Sequence, residues 1–331
     1  MIANSIRILR GLQHPSGLFS ASSLSVNTGY NKAWIRDCVY EALGFEAVKS
    51  WGDVVKTYQA LLDVLRKHEN KIDWAIKEKP KHAYQYIHAR YHPNTYEEFF
   101  EEWGNKQNDA VGALLFKISD LELKGIKVVR DDNDMRILQK LVHYLASVEY
   151  WNDKDNGMWE ENEEVHASSV GACVAGLKKA AKLVDVNPKL IKKGEETLKK
   201  LLPKESETKD ADLALLSLIY PYNVVDKKTA MQILKNVEEK LVREKGVIRY
   251  ENDQYYNENG EAEWTMGLAW LAIIYKQMNI PHKYAFYMRK CVSAINNKGE
   301  LPELYFANSN VHNENSPLGW AQSLFLVMME G

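Results

Sequence analysis

The stretch Gly157-Met158-Trp159-Glu160-Glu161-Asn162-Glu163-Glu164 places an indole directly before four carboxylates, and Val165-His166-Ala167-Ser168-Ser169 then opens a small and apolar run with helical spacing. Like charges held close together raise one another's pKa, and a carboxyl that stays protonated near neutral pH is what a general acid requires. A second carboxylate, Glu303, stands far away in Leu301-Pro302-Glu303-Leu304-Tyr305. Two further clusters carry polar groups beside indoles: Trp34-Ile35-Arg36-Asp37, and Trp103-Gly104-Asn105-Lys106-Gln107-Asn108-Asp109. Taken singly, each has a plain structural explanation. An Arg-Asp pair at a helix start serves as a salt bridge or cap, and lone carboxylates are mostly solvated surface groups. Taken together, flat Trp faces, groups that hydrogen-bond hydroxyls and two well-separated carboxylates make the inventory of an inverting glycosidase.

These residues need a scaffold, and the pattern that supplies it is helical. The chain has 331 residues, 45% hydrophobic and 27% charged, with 9 Trp and 18 Tyr; that is enough to bury a large core. Apolar residues at helical spacing predict helices beginning near 2, 36, 53, 107, 131, 167, 188, 210, 227, 263, 281 and 318. Asp53 is read as the cap of the third, and 70–106 as one long polar connection. The only strand pattern falls on 247–250. Long connections rich in Trp, Arg, Asp and Glu alternate with short ones rich in Lys, Asn and Asp. About twelve antiparallel helices with that alternation suit an all-α ring with its functional loops at one end. No Gly-, Pro- or Ser-rich linker divides the chain, so residues 1–331 are expected to form a single domain.

Other classes are excluded on charge and spacing. The formal net charge of −2 gives no electrostatic case for nucleic acid or an anionic membrane. No apolar run approaches the ~18 residues that span a bilayer, and the first twelve residues lack the apolar core of a signal peptide. Cys38, Cys173 and Cys291 are widely spaced, odd in number and outside any metal-ligand spacing, which suits buried free thiols in a cytoplasmic protein. His88 and His92 lie four apart but have no third ligand, so neither metal nor cofactor is expected. The expected partner is an oligosaccharide.

Five motifs, in order, then resemble one family. Ser16-Gly17-Leu18-Phe19-Ser20-Ala21-Ser22 with Trp34-Ile35-Arg36-Asp37, His88-Ala89-Arg90-Tyr91 with Trp103 to Asp109, Trp159-Glu160-Glu161, Arg249-Tyr250 with Asp253, Tyr255, Tyr256 and Trp264, and Leu301-Pro302-Glu303 with Pro317-Leu318-Gly319-Trp320-Ala321 together resemble the catalytic domain of glycoside hydrolase family 15, the glucoamylase family. The segment from Glu164 to Gly171 is similar to the related N-terminal domain of the phosphorylase kinase alpha and beta subunits, which act as regulators. The resemblance implies an (α/α)6 barrel. It implies Glu160 as general acid and Glu303 as general base, Arg36, Asp37 and Arg249 holding the terminal glucose, Glu161 binding sugar, and Trp34, Trp103, Trp159 and Trp264 lining the subsites with Gln107 and Asp109. Glu164, beside the Ser-Ser turn, is the alternative acid and a candidate substrate contact.

Overall fold

In the computed structural model, which describes residues 1–101 and 103–331, twelve α-helices run in chain order: α1 (Ile2–Leu12), α2 (Ile35–Ala47), α3 (Trp51–Lys67), α4 (Glu69–Glu78), α5 (Asn108–Leu123), α6 (Asp132–Val148), α7 (Ala167–Ala180), α8 (Pro188–Leu201), α9 (Lys227–Lys240), α10 (Met266–Gln277), α11 (Pro281–Ser293) and α12 (Gly319–Glu330). A 3₁₀ helix at Leu213–Leu218 lies between α8 and α9.

Two kinds of helix are legible in the burial. In α2, α5, α7, α10 and α12, runs such as 35–45, 167–177 and 266–275 are buried on every face. By contrast, α1, α3, α6, α8 and α9 bury one stripe and show water a charged face, as surface helices do. The buried helices pack α2 on α5, α5 on α7, α7 on 213–218, 213–218 on α10, α10 on α12 and α12 back on α2. That ring closes. Outside it, α1 packs on α12, α3 on α2, α6 on α5 and α7, α8 on α7, α9 on 213–218 and α11 on α10. Six inner and six outer segments make the (α/α)6 barrel, with α4 an addition lying on α6.

Several expectations are corrected. The segment 70–106 holds α4, because Ile72 and Ala75 are buried at helical spacing within an otherwise charged stretch. The helix expected over 210–219 is only the short 3₁₀ turn: Asp212 caps it through Ala214 N, and Pro221, which lacks an N–H, prevents its continuation. Residues Glu263–Trp264 belong to a two-residue ribbon with Leu304–Tyr305, in the register Glu263↔Tyr305 and Trp264↔Leu304, so α10 begins three residues late. Val247 makes isolated bridges to Val242 and Trp264 rather than a strand. Asp53 lies inside α3, where it accepts the Ser50 hydroxyl at 2.6 Å. Arg90–Tyr91 pairs with Ala33–Trp34, so His88 and His92 flank an extended ribbon rather than sharing a helix face. No described helix is long and apolar enough to cross a membrane.

The tightest contact in the ring is α5 on α7. A Cβ on Gly112 would fall 2.5 Å from the backbone of Ala172 and Cys173, and a backbone cannot rotate aside. Gly112→Ala gains helix propensity of about 1 kcal/mol but overpacks a helix crossing, which costs about 1–3 kcal/mol. The variant is expected to unfold at lower urea concentration than wild type with an unchanged m-value, as measured by equilibrium denaturation.

Candidate active site

The inner helices all present their N-termini at one end of the ring, and the polar clusters sit there. Arg36 and Asp37 lie in the first turn of α2, Gln107 stands at the N-cap position of α5, Trp159 to Glu161 precede α7, Trp264 precedes α10, Glu303 precedes the Leu304–Tyr305 ribbon strand, and Trp320 lies in the first turn of α12. Converging helix N-termini carry partial positive charge and unpaired N–H groups, which favour carboxylates and hydroxyl oxygens at that end.

Arg36 joins three of these segments. Its Nη1 donates to Gln107 Oε1 at 2.8 Å and Asp109 Oδ2 at 3.3 Å, and its Nη2 donates to Glu160 Oε1 at 3.1 Å. Gln107 Nε2 donates to the same Glu160 oxygen at 3.0 Å and to Gly104 O at 2.7 Å. Burial opposes the charge on Arg36, but Asp109, Glu160 and Asp37 outweigh it and hold the guanidinium above its ordinary value. Glu160 itself has φ +64, a left-handed conformation that non-glycine residues adopt at a cost. Gly104 packs on its backbone, where an added Cβ would lie 2.5 Å from the Glu160 carbonyl.

Arg249 organises the neighbouring wall. It donates to Glu161 Oε1 at 2.7 Å and makes a two-pronged pair with Asp253 at 2.7 and 2.6 Å. Its guanidinium carbon lies 5.0–5.4 Å from the rings of Trp159, Tyr255 and Trp264, a favourable cation–π setting. Glu161 also accepts from Lys209 Nζ at 3.2 Å and from the Tyr250 hydroxyl. Trp159 Nε1 donates to Asp212 Oδ1 at 2.8 Å, and its ring neighbours those of Trp264 and Trp320. The four carboxylates therefore diverge, each held by its own donors, instead of crowding as the sequence suggested.

Glu303 is fully buried. Tyr30 donates to its Oε1 at 2.6 Å, while the Asn313 and Asn315 amides donate to Oε2, the latter at 2.8 Å. A carboxylate offers about four lone-pair positions, so Oε1 retains capacity for one more donor such as water. Burial raises the Glu303 carboxyl above its ordinary value, and the three donors pull it back toward the ionised form.

Arg36, Asp37, Trp159, Glu160, Arg249 and Trp264 line one small pocket together with Tyr30, Leu318 and Trp320. The other sequence candidates lie elsewhere. Gln107 and Asp109 stand behind Arg36 and position it. Trp34 is buried against Tyr30 and Trp103, and Trp103, 40% exposed, lies under the Arg90 guanidinium; neither lines the pocket. Glu164 accepts from Ser206 Oγ at 2.5 Å and Thr208 Oγ1 at 2.9 Å and does not line the pocket. Tyr30, Lys209, Asp212, Asn313 and Asn315 escaped the sequence reading. They sit in loops without periodicity and reach the site only through the fold. Arg36 Nε, Trp264 Nε1 and Trp320 Nε1 are buried donors on pocket residues with no hydrogen-bond partner among the described residues. Buried donors of this kind are costly unless something accepts from them.

Residues 1–327 match the family model "Glycosyl hydrolases family 15". The chain belongs to that family. Among solved structures it resembles one glycosidase point variant (TM-score 0.84, 18% identity, covering 99% of this chain and 94% of that one) and another glycosidase point variant in complex with glucose (TM-score 0.81, 18% identity, covering 99% and 94%). A bacterial glucoamylase complexed with acarbose superposes at 0.73 with 16% identity, covering 99% of this chain and 55% of that one. The curated relatives are of another kind. A probable phosphorylase b kinase regulatory subunit alpha of Caenorhabditis elegans is 25% identical over 89% of this chain, and the liver isoform of Mus musculus is 26% identical over 73%. The chain spans only 30% and 22% of the length of those two relatives.

Burial pushes the Asp37 carboxyl up to about 7, against the pull of Arg36 and with the charge of Glu160 adding to the rise. Between the usual carboxylate value and about 7, the folded protein therefore holds a proton that the unfolded chain has released, and stability falls as pH rises through that window. Asp37→Asn is expected to remove this slope. Its melting temperature should gain on wild type from pH 5 to pH 8, as read by thermal scans across that range.

Proposed function

We propose that the chain is an inverting glycoside hydrolase of a single catalytic domain over 1–331. It would release glucose from the non-reducing end of short α-glucosides of the maltose, isomalto-oligosaccharide or trehalose class. The observation that carries this reading is the set of three buried donors without a hydrogen-bond partner among the described residues, Arg36 Nε, Trp264 Nε1 and Trp320 Nε1, on residues lining a pocket whose wall also bears Asp37 and Glu160. Sugar hydroxyls both accept and donate, and indole faces pack on the apolar faces of a pyranose. The buried thiols of all three cysteines suit a reducing, cytoplasmic setting.

In this mechanism, Arg36, Asp37 and Arg249 fix the terminal sugar. Glu160, protonated, gives its proton to the departing glycosidic oxygen. Glu303, ionised and held by Tyr30, Asn313 and Asn315, takes a proton from the water that attacks C1 from the opposite face. Inversion needs room for that water, about 6.5–9.5 Å between the carboxyl groups in enzymes of this kind. Glu160 must leave its ion pair with Arg36 to act, so sugar binding and acid release are coupled at one guanidinium.

The likeness to kinase regulatory subunits favours a second reading, in which the same pocket binds an oligosaccharide without cleaving it. The two separate on mutation. Glu160→Gln and Glu303→Gln are each expected to lower kcat for glucose release by about 10²–10⁴-fold with sugar affinity retained, measured by coupled glucose assay and calorimetry. Near wild-type turnover in either variant would sink the assignment, and affinity without turnover in wild type would establish the binding reading.

A further inference from the structure

The loop that carries Glu160 is closed at its base. Asp155 and Glu164 exchange backbone hydrogen bonds at 2.9 and 3.0 Å, so 155–164 projects as one unit whose only covalent continuation toward α7 runs through Val165 and His166. Beneath it lies the His166 ring, 3% exposed. A Cβ on Gly157 would fall 2.8 Å from that ring, so the start of the loop rests directly on the imidazole. His166 Nε2 lies 3.4 Å from Asn162 O, just past the acid. Its Nδ1 lies 3.5 Å from Glu205 Oε1.

Glu205 is anchored in turn. Its carboxylate accepts from Ser168 Oγ at 2.5 Å and Ser168 N at 3.1 Å, and its backbone carbonyl accepts from Ala167 N at 2.7 Å. It is thus bound to the first turn of α7. On the loop side, Asp155 accepts from Gly157 N at 3.2 Å and Asn108 N at 3.0 Å, which ties the loop base to α5. The charged groups around the ring are Asp155, Glu205 and Lys209.

His166 occupies the N-cap position of α7, yet its side chain caps nothing. Ser, Thr, Asp or Asn is preferred there, and a cation at a helix N-terminus opposes the helix dipole. The helix gains nothing from this histidine. Its ring nitrogens face the acid loop and Glu205 instead. Burial alone would push the imidazole down, but the Glu205 contact and the charges of Asp155 and Glu205 overcome it and bring the group to about 9. The ring is therefore a cation at neutral pH, held 3.5 Å from Glu205 with buried Asp155 nearby.

We propose that His166 is the positioning residue of the acid: a charged peg between Glu205 on α7 and the 155–164 loop that fixes where Glu160 stands. The proposal rests on the reading of Glu160 as the acid. It also gives a role to the segment from Glu164 to Gly171, which the chemistry of the pocket leaves unused. A peg that acts through Glu160 bears mainly on the transition state, because Arg36 and Arg249, although each also bonds the loop, are anchored outside it by Gln107 and Asp109 and by Asp253.

The test is His166→Gln, with Glu205→Gln as a milder second variant that keeps the ring and removes its anchor charge. Two readouts are taken on each full-length protein: kcat and KM for glucose release, and amide hydrogen exchange over 156–162 with α12 as the internal reference. A misplaced catalytic group costs up to about 10²-fold. The expected result for His166→Gln is a kcat lower by about 10–10²-fold with KM changed by no more than about threefold, together with faster exchange confined to the loop. Glu205→Gln is expected to move both readouts in the same direction by less, and it decides the matter if His166→Gln does not fold. Unchanged kcat in the folded variants, or a rise in KM alone, overturns the proposal. If wild type hydrolyses no α-glucoside, the enzyme reading has failed, and exchange alone decides the peg: faster exchange in the loop supports it and unchanged exchange overturns it.

Discussion

The Arg36 guanidinium is the constraint on which the site depends. A buried cation is expensive unless its charge and its N–H groups are met, and here the partners come from three separate stretches of chain: Asp37 beside it on α2, Gln107 and Asp109 at the start of α5, and Glu160 on the loop before α7. Each segment is held in register by the same group. Gly104 lets the loop before α5 approach the Glu160 backbone closely enough for Gln107 to share the carboxylate oxygen that Arg36 holds. The remaining Nε, 4.0 Å from Asp37, has no hydrogen-bond partner among the described residues.

The barrel explains why so many charged groups can gather at one place. Closing six buried segments into a ring brings their N-termini to a single end, and each contributes N–H groups and partial positive charge. Carboxylates and arginines that would be intolerable in the core are accommodated there in pairs: Arg36 with Asp109 and Glu160, Arg249 with Asp253 and Glu161. The aromatic floor of Trp159, Trp264 and Trp320 keeps water away from these pairs and strengthens them. In the proposed reading, binding and catalysis draw on the same contacts, because a sugar engaging Arg36 would compete with Glu160 for it.

Much of this was legible in the sequence, for identifiable reasons. Inner helices such as α7 and α10 announce themselves as small or apolar runs too uniform for a surface position, and the residues that bear charge at their starts fall at helix boundaries where periodicity breaks. Arg36, Glu160, Arg249 and Glu303 all lie at such breaks. The errors have equally specific causes. The helix α4 hid in a charged stretch because only Ile72 and Ala75 mark its buried side. The turn at Leu213–Leu218 looked like a helix because its composition is apolar, and Pro221 stops it. Glu164 stands as the alternative acid from its place beside the Ser-Ser turn, and in the fold its carboxylate accepts from Ser206 and Thr208. Tyr30, Asn313 and Asn315 could not be found from sequence, since their significance is a shared contact with Glu303 across distant loops.

What separates a hydrolase from a sugar-binding relative is whether Glu160 and Glu303 act on opposite faces of one glycosidic bond. The most direct measurement is proton NMR of the first turnovers on maltose, isomaltose and trehalose, resolving the anomers of the released glucose before mutarotation. The account predicts an initial excess of β-glucose over the mutarotation equilibrium from maltose or isomaltose, and equal amounts of α- and β-glucose from trehalose if it is the substrate cleaved. An initial excess of α-glucose from any of the three, or no glucose from any of them, would contradict it.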